Sequence, residues 1–363
     1  MIIVMKAGAT PAQVEHVCEE IRKAGMAPHL SKGEFRTIIG AVGDETKRPV
    51  EQHFLTLEGV ENLLPIMKPY KLAGREFHPA DTVVSVKGVP VGGRNNTVIA
   101  GCCTIENHDM VLRISKACKE RGAAIIRGGA FKPRTSPYSF QGLGVEGLKM
   151  LRAVGDELDI PVCTEIMETR QVDDVARYAD LIQIGARNMQ NFSLLTEVGK
   201  TGKPVLLKRG LSASVKEFLL SAEYVLAAGN PNVILCERGI KTFEDSVRYT
   251  LDVACIPVVQ RDSHLPVIVD PSHAAGKRDL VQSLALAGIG AGAHGLIVEV
   301  HDRPEQALCD GPQALLPLDF AQLMALVQKF SDALGRKLVK PPEPAPDSRV
   351  RPVSREPAWG GKA

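Results

Sequence analysis

Ala123-Ala124-Ile125-Ile126-Arg127-Gly128-Gly129 runs directly into Ala130-Phe131-Lys132-Pro133-Arg134-Thr135-Ser136. The first half is a short apolar run closed by glycines, as in a buried strand. The second half is a loop stiffened by glycine and proline, in which Arg127, Lys132 and Arg134 crowd together. Arginine presents a planar fork and lysine a mobile point charge, so the set suits a small phosphorylated or carboxylated molecule. The alternative is a solvated basic loop, the ordinary state of exposed lysine and arginine. What separates the two is whether the pattern of strand and then polar loop recurs.

Apolar runs stand at 97–103, 123–127, 161–165, 181–186, 204–209, 233–238, 266–273 and 295–301. Amphipathic helical segments lie between them, among them 110–121, 144–158, 171–178, 214–228, 243–251 and 278–288. Eight βα units point to an α/β fold, a closed (β/α)8 TIM barrel, ahead of an open doubly wound sheet. The barrel is expected over 97–337. A segment at 71–96 precedes it as a linker, with a hairpin at the barrel bottom formed by Thr82-Val83-Val84-Ser85-Val86 and Val89-Pro90-Val91.

Residues 1–70 have a different rhythm. After an apolar strand at 1–6, Thr10, Pro11 and Gln13 supply an N-cap, a first-turn proline and a capping-box partner. Val14, Val17, Cys18 and Ile21 then recur at helical spacing. A hairpin over 27–40, a helix near 49–57 and a strand near 62–68 complete a split βαβ pattern, a small α+β ferredoxin-like domain that could be regulatory. Residues 338–363, rich in Pro, Arg and Gly, read as a disordered tail.

Composition narrows the class. With 44 basic and 42 acidic residues in 363, the net charge is only +2, so no general polyanion surface is advertised and nucleic acid is not an expected partner. No apolar run is long enough to span a bilayer, and the short N-terminal run reads as a strand and not as a leader. Eight scattered cysteines fit reduced thiols in a cytoplasmic enzyme.

Chemistry gathers where the runs end: Cys103 with Glu106, Arg127, Glu165, Arg187, Lys208 with Arg209, Glu237 with Arg238, Asp270 with His273, and Glu299 with His301. In a barrel these positions share the C-terminal rim, where βα loops build active sites. One cysteine of the pair Cys102 and Cys103, together with His273, Glu299 and Asp310, has metal-ligand character, a mixed S/N/O set acceptable to Mn, Fe, Co or Zn. Neighbouring strand residues face opposite ways, so only one of the two cysteines should reach the site. Taken singly, a free cysteine is more often a buried small hydrophobe, and His273 could be a loop histidine or a phosphate contact. The cations Arg127, Lys132, Arg134, Arg187, Lys208, Arg209 and Arg238 imply more than one anionic group, although some could pair with Glu165 and Glu237. Thr135 and Ser136 could donate hydroxyls to phosphate, and neither nucleotide-binding glycine motif is present.

Taken in order, Ala100-Gly101-Cys102-Cys103-Thr104-Ile105-Glu106, Arg127-Gly128-Gly129, Lys132-Pro133-Arg134-Thr135-Ser136, Gln183-Ile184-Gly185-Ala186-Arg187-Asn188, Leu207-Lys208-Arg209-Gly210, Cys236-Glu237-Arg238-Gly239, Asp270-Pro271-Ser272-His273 and Asp310-Gly311 resemble the 3-deoxy-D-arabino-heptulosonate 7-phosphate (DAHP) synthase family, type I beta group. The resemblance runs from residue 1 to about 336 and includes the N-terminal ferredoxin-like domain. It implies condensation of phosphoenolpyruvate with erythrose 4-phosphate and water, releasing phosphate, as the first step of the shikimate pathway to aromatic amino acids. It further implies one divalent metal on Cys103, His273, Glu299 and Asp310, and it is what selects Cys103 over Cys102. Catalytic residues would be Lys132, Cys103, His273 and Glu165. Arg127, Lys132, Arg187, Lys208 and Arg238 would clamp phosphoenolpyruvate, Lys132, Pro133, Arg134, Thr135 and Ser136 would take the aldose phosphate, and Ala186 and His273 would also bind substrate. A homotetramer and feedback inhibition by tyrosine or phenylalanine through residues 1–70 are also implied. Cys102 replaces a usual proline and Thr104 a usual serine. The rival activity, making 3-deoxy-D-manno-octulosonate 8-phosphate from arabinose 5-phosphate, goes with Lys-Ala-Asn-Arg-Ser where this chain has Lys-Pro-Arg-Thr-Ser. A noncatalytic phosphate-ester sensor is the reading from another class.

Overall fold

Thr10 and Gln13 form the expected capping box, the Thr10 backbone N–H donating to Gln13 Oε1 at 2.9 Å and Gln13 N–H to Thr10 Oγ1 at 3.3 Å. In the computed structural model this opens the first helix of two compact units, Met1–Lys71 and a second beginning at Leu72. Residues 1–32, 37–42, 51–64, 69–134 and 136–342 are described. The first unit orders β1 (Ile2–Met5), α1 (Pro11–Lys23), β2 (Ala27–Lys32), β3 (Thr37–Val42), α2 (Glu51–Leu55) and β4 (Val60–Leu64). Its antiparallel sheet runs β2-β3-β1-β4, the ferredoxin-like arrangement. Val14, Val17, Cys18 and Ile21 of α1 pack with Ile3, Met5, Ile39 and Phe54 into its core. Parts of the helix expected near 49–57 and of the strand near 62–68, at 49–50 and 65–68, fall outside the described residues.

The second unit starts with the hairpin β5 (Val84–Val86) and β6 (Val89–Val91), turned at Lys87 and Gly88 with φ of 47° and 86°. Eight parallel strands follow: β7 (Asn95–Thr104), β8 (Ile125–Gly129), β9 (Val162–Ile166), β10 (Leu181–Ile184), β11 (Val205–Lys208), β12 (Val233–Glu237), β13 (Val267–Val269) and β14 (Gly295–Glu299). Pairing of β14 with β7 closes them into a barrel. The helices between and after them are α3 (His108–Glu120), α4 (Val145–Glu157), α5 (Val172–Tyr178), α6 (Phe192–Lys200), α7 (Val215–Ala227), α8 (Cys255–Asp262), α9 (Pro271–Ala275), α10 (Arg278–Gly290) and α11 (Pro317–Ala333). The barrel strands are buried almost throughout, as parallel strands covered by helices must be. The four hairpin valines join Ile99, Ile125, Leu206, Ile234, Ile268 and Ile297 in one cluster. Burying each valine is worth about 1.5–3 kcal/mol, so the hairpin shuts the end opposite the polar strand tips.

Two expectations fail here. The segment 243–251 is not helical, because local hydrogen bonds hold its backbone otherwise. Thr242 Oγ1 accepts from Glu244 N–H at 3.2 Å, Glu244 Oε1 accepts from Asp245 and Ser246 N–H, and Ile240 and Thr250 exchange backbone bonds. The first residues of the tail expected from 338 are also ordered. Lys337–Leu338 forms β15 beside Asn95 and Asn96, and Val339 is buried. Residues 343–363 lie outside the described residues.

Candidate active site

The first strand approaches the second so closely that a Cβ on Gly101 would sit 2.1 Å from the Arg127 carbonyl oxygen. Register between them shifts from Gly101 to Thr104, a bulge spanning both cysteines. Cys103 enters the polar end of the barrel. Its Sγ lies 3.2 Å from Asp310 Oδ2, 3.5 Å from Cys309 Sγ and 3.0 Å from the Lys132 Nζ that donates to it. Cys102 is buried, and burial pushes its thiol pKa up to about 12.

His273 comes from α9, whose N-cap Asp270 accepts from the His273 backbone N–H at 2.9 Å through Oδ1. The other Asp270 oxygen lies 2.7 Å from His273 Nδ1 and accepts from Lys208 Nζ at 2.5 Å. This turns Nε2 toward Glu299 Oε1, 3.4 Å away. Glu299, at the end of β14, accepts from Arg127 Nη1 at 2.8 Å on Oε1 and from Gln313 Nε2 at 2.6 Å on Oε2. Asp310 is a non-glycine residue at φ 53°, and its Oδ1 accepts from Arg248 Nη1 at 3.1 Å. Such a strained backbone is tolerated where the surroundings over-determine it.

One ligand atom from each of Cys103, His273, Glu299 and Asp310 lies within 4.8 Å of the others. Each also has an outer partner: Lys132, Asp270, Arg127 and Arg248 respectively. A sulfur, an imidazole nitrogen and two carboxylates, each braced from behind, fit a divalent metal. Electrostatics agree with that fit. Burial opposes charge on Asp270, yet His273 and Lys208 hold its carboxyl well below the usual range. Asp310 is likewise held down by His273, Lys132 and Arg248 against burial. His273 is pushed down by burial, which outweighs the opposing pull of Asp270 and Glu299. Burial, then Cys309 and Glu299, hold the Cys103 thiol well above its usual range; contact with Cys103, then Lys132, draws Cys309 the other way.

In front of this cluster lies a cavity of about 260 Å³ lined by Lys132, Pro133, Arg134, Ser136, Glu165, Gln183, Ala186, Arg187, Lys208, Arg238, Arg248, Tyr249, His273, Cys309 and Asp310, among others. Six of these are cations and two are carboxylates, an excess of four positive charges. Arg127, Cys103 and Glu299 stand behind it, and Thr135 lies outside the described residues. Arg209 does not belong to this set. Glu237 at 2.9 Å and Asp252 at 2.7 Å hold its guanidinium, so one expected cation is structural. Glu165 is oriented by Gln183 Nε2 at 3.0 Å and is approached so tightly that a Cβ on Gly185 would fall 2.0 Å from its Oε1.

Sequence reasoning missed Gln183, Arg248, Tyr249, Cys309 and Gln313. Cys309 had a signal, its place beside Asp310. Arg248 and Tyr249 had none, since their segment reads as helix.

Residues 81–336 match the model of the DAHP synthetase I family, and residues 1–68 match that of the DAHP synthase ferredoxin-like domain. The chain belongs to the DAHP synthetase I family. It is 48% identical over 338 residues to the phospho-2-dehydro-3-deoxyheptonate aldolase of Thermotoga maritima, covering 93% of this chain and 100% of that one. The crystal structure of that DAHP synthase superposes with a TM-score of 0.90 at 48% identity, over 93% of this chain and 98% of that one. The 2-dehydro-3-deoxyphosphooctonate aldolase of Syntrophobacter fumaroxidans is 35% identical over 265 residues, 68% of this chain and 90% of that protein. Among the described residues no helix is long and apolar enough to cross a membrane.

Proposed function

We propose that this chain condenses phosphoenolpyruvate with erythrose 4-phosphate and water to give DAHP and inorganic phosphate. The observation that carries the reading is a junction: Lys132, from the phosphate-type loop, donates to Cys103 of the ligand cluster at 3.0 Å, and Arg134 Nη1 reaches Cys309 Sγ at 2.6 Å. A loop suited to a phosphorylated aldose thus ends on the group suited to its aldehyde. The two substrates together bring about four to five negative charges, which the cavity's excess of cations answers.

The residues divide the work. Arg187, Lys208 and Arg238 clamp the carboxylate and phosphate of phosphoenolpyruvate, with Arg127 and Ala186 shaping that end. Pro133, Arg134, Thr135 and Ser136 take the aldose phosphate. Clamping both turns an encounter into an oriented reaction. C3 of phosphoenolpyruvate bonds to the aldehyde carbon, water adds at C2, and phosphate then departs. Lys132 gives a proton to the new hydroxyl, while Glu165 holds the attacking water. Cys103, His273, Glu299 and Asp310 would hold a divalent metal, which would supply Lewis-acid polarisation of the aldehyde oxygen. Mn, Fe, Co and Zn all suit the donor set.

Pro133 and Arg134 favour the four-carbon aldose over arabinose 5-phosphate. The first unit is read as the seat of a tyrosine or phenylalanine effector, the assembly as a homotetramer, and the location as cytoplasmic, in keeping with eight free buried cysteines. The test is phosphate release from phosphoenolpyruvate with erythrose 4-phosphate against arabinose 5-phosphate, run with chelator, with each metal and with each aromatic amino acid. Faster turnover of arabinose 5-phosphate, or no turnover of either, would overturn the reading.

A further inference from the structure

Arg238 differs from the buried cations around it. Arg127 pairs with Glu299, Lys208 with Asp270, and Arg209 with Glu237 and Asp252. Among the described residues no carboxylate pairs with Arg238, although it is only 5% exposed, and its Nη1 is buried without a hydrogen-bond partner. What holds it is an aromatic face. The Arg238 Cζ lies 4.2 Å from the centroid of the Tyr249 ring.

The backbone that carries the ring is itself fixed from several sides. Tyr249 N–H donates to Ala274 O at 2.9 Å and Arg248 N–H to Ala275 O at 3.1 Å, tying the segment to α9. Gly239, at φ 90°, turns the chain so closely past the ring's root that a Cβ there would lie 2.7 Å from Tyr249 Cβ. Ile240 and Thr250 close the loop with backbone bonds of 2.9 and 3.0 Å. Both Arg238 and Tyr249 line the cavity.

We infer that Tyr249 is a positioning residue: its ring holds the Arg238 guanidinium in the wall of the cavity, at its phosphoenolpyruvate end, without a carboxylate taking up its charge. A carboxylate in Tyr249's place would hold the arginine as well but would cancel its charge. An aromatic face attracts the cation and leaves its donors free for an incoming anion. The inference rests on the reading of Arg238 as a phosphoenolpyruvate ligand.

The experiment is calorimetric titration of phosphoenolpyruvate into the full-length chain without aldose phosphate, alongside steady-state kinetics. Tyr249→Leu is expected to weaken phosphoenolpyruvate binding roughly three- to thirtyfold and raise its KM to match. The kcat at saturation and the KM for erythrose 4-phosphate should stay within about twofold. Tyr249→Phe keeps the ring and should restore wild-type affinity. Arg238→Ala combined with Tyr249→Leu should bind no worse than Arg238→Ala alone, because the tyrosine acts through the arginine. If Tyr249→Phe loses as much as Tyr249→Leu, the hydroxyl acts and the positioning role is wrong. If Arg238→Ala weakens binding while Tyr249→Leu does not, the inference fails and the site reading stands. If Arg238→Ala leaves binding unchanged, the assignment of Arg238 fails first.

Discussion

Asp270→Asn isolates one buried charge. Asparagine keeps the shape and an Oδ1 that can accept from His273 N–H, so the N-cap of α9 survives. What disappears is the negative charge between Lys208 Nζ at 2.5 Å and His273 Nδ1 at 2.7 Å. Lys208 is 4% exposed, and in place of the charge the new amide would offer it a second donor. Removing one member of a buried pair costs about 3–5 kcal/mol. At about 2–4 °C per kcal/mol for a unit of this size, melting should fall by roughly 6–20 °C. The imidazole also loses the carboxylate that lies against its Nδ1, and affinity for Mn²⁺ should drop about 10- to 100-fold. Differential scanning calorimetry and Mn²⁺ titration measure the two losses. The double variant Asp270→Asn with Lys208→Met leaves no stranded charge, and should regain most of the stability without regaining the metal affinity. A single variant that melts within about 2 °C of the parent and binds Mn²⁺ normally would refute the reasoning, as would a double variant no more stable than the single one.

Lys132→Met should slow phosphate release about a hundredfold or more even at saturating Mn²⁺, the usual weight of a positioned proton donor; unchanged kcat would remove it from that role. Gly185→Ala places a methyl 2.0 Å from Glu165 Oε1, so the carboxylate must swing away. We expect a loss of about 1–3 kcal/mol in stability and a drop in kcat of about tenfold or more, and normal kinetics with normal melting would deny the contact. His294 is buried, and burial first, then Arg336, lowers its pKa from 6.5 to about 4. Between those values the unfolded chain binds more protons, so its contribution is complete above pH 6.5 and fades as pH falls to about 4, by ~3 kcal/mol in all. Replacing it by Gln should flatten the stability profile across that window, and an unaltered slope would contradict the linkage.

The barrel was legible because its signal repeats. Each strand is a short apolar run ending in a polar residue, and each polar residue falls on the same rim once the strands close. His273 and Glu299 could be placed on that rim in the same way, since they end or follow apolar runs, whereas the choice of Cys103 over Cys102 rested on the family resemblance. Arg248 and Tyr249 were hidden by a segment with helical spacing whose backbone is captured by Thr242, Glu244 and α9. Periodicity reports side-chain spacing and is blind to side chains that bond the backbone. Arg209 was misread for a different reason. A cation at a strand end looks alike whether it faces a ligand or a carboxylate from a distant loop, and Asp252 lies 43 positions away along the chain.

The carboxylates of the ligand cluster are also the partners of two arginines, which couples the two halves of the site. Glu299 holds Arg127 and Asp310 holds Arg248. A divalent cation on these carboxylates would compete for the same negative charge, so each arginine would be drawn less strongly toward its carboxylate and could give more of its field to an anion in the cavity. Phosphoenolpyruvate should therefore bind more tightly when Mn²⁺ is present. Linkage requires the converse by the same factor, so Mn²⁺ affinity must rise equally when phosphoenolpyruvate is present. Couplings of this kind are typically fivefold to 150-fold. Titrating each ligand with and without the other closes the cycle. Independent binding would mean that the arginines are held by packing alone, and that the Arg127–Glu299 and Arg248–Asp310 pairs do not communicate with an anion in the cavity.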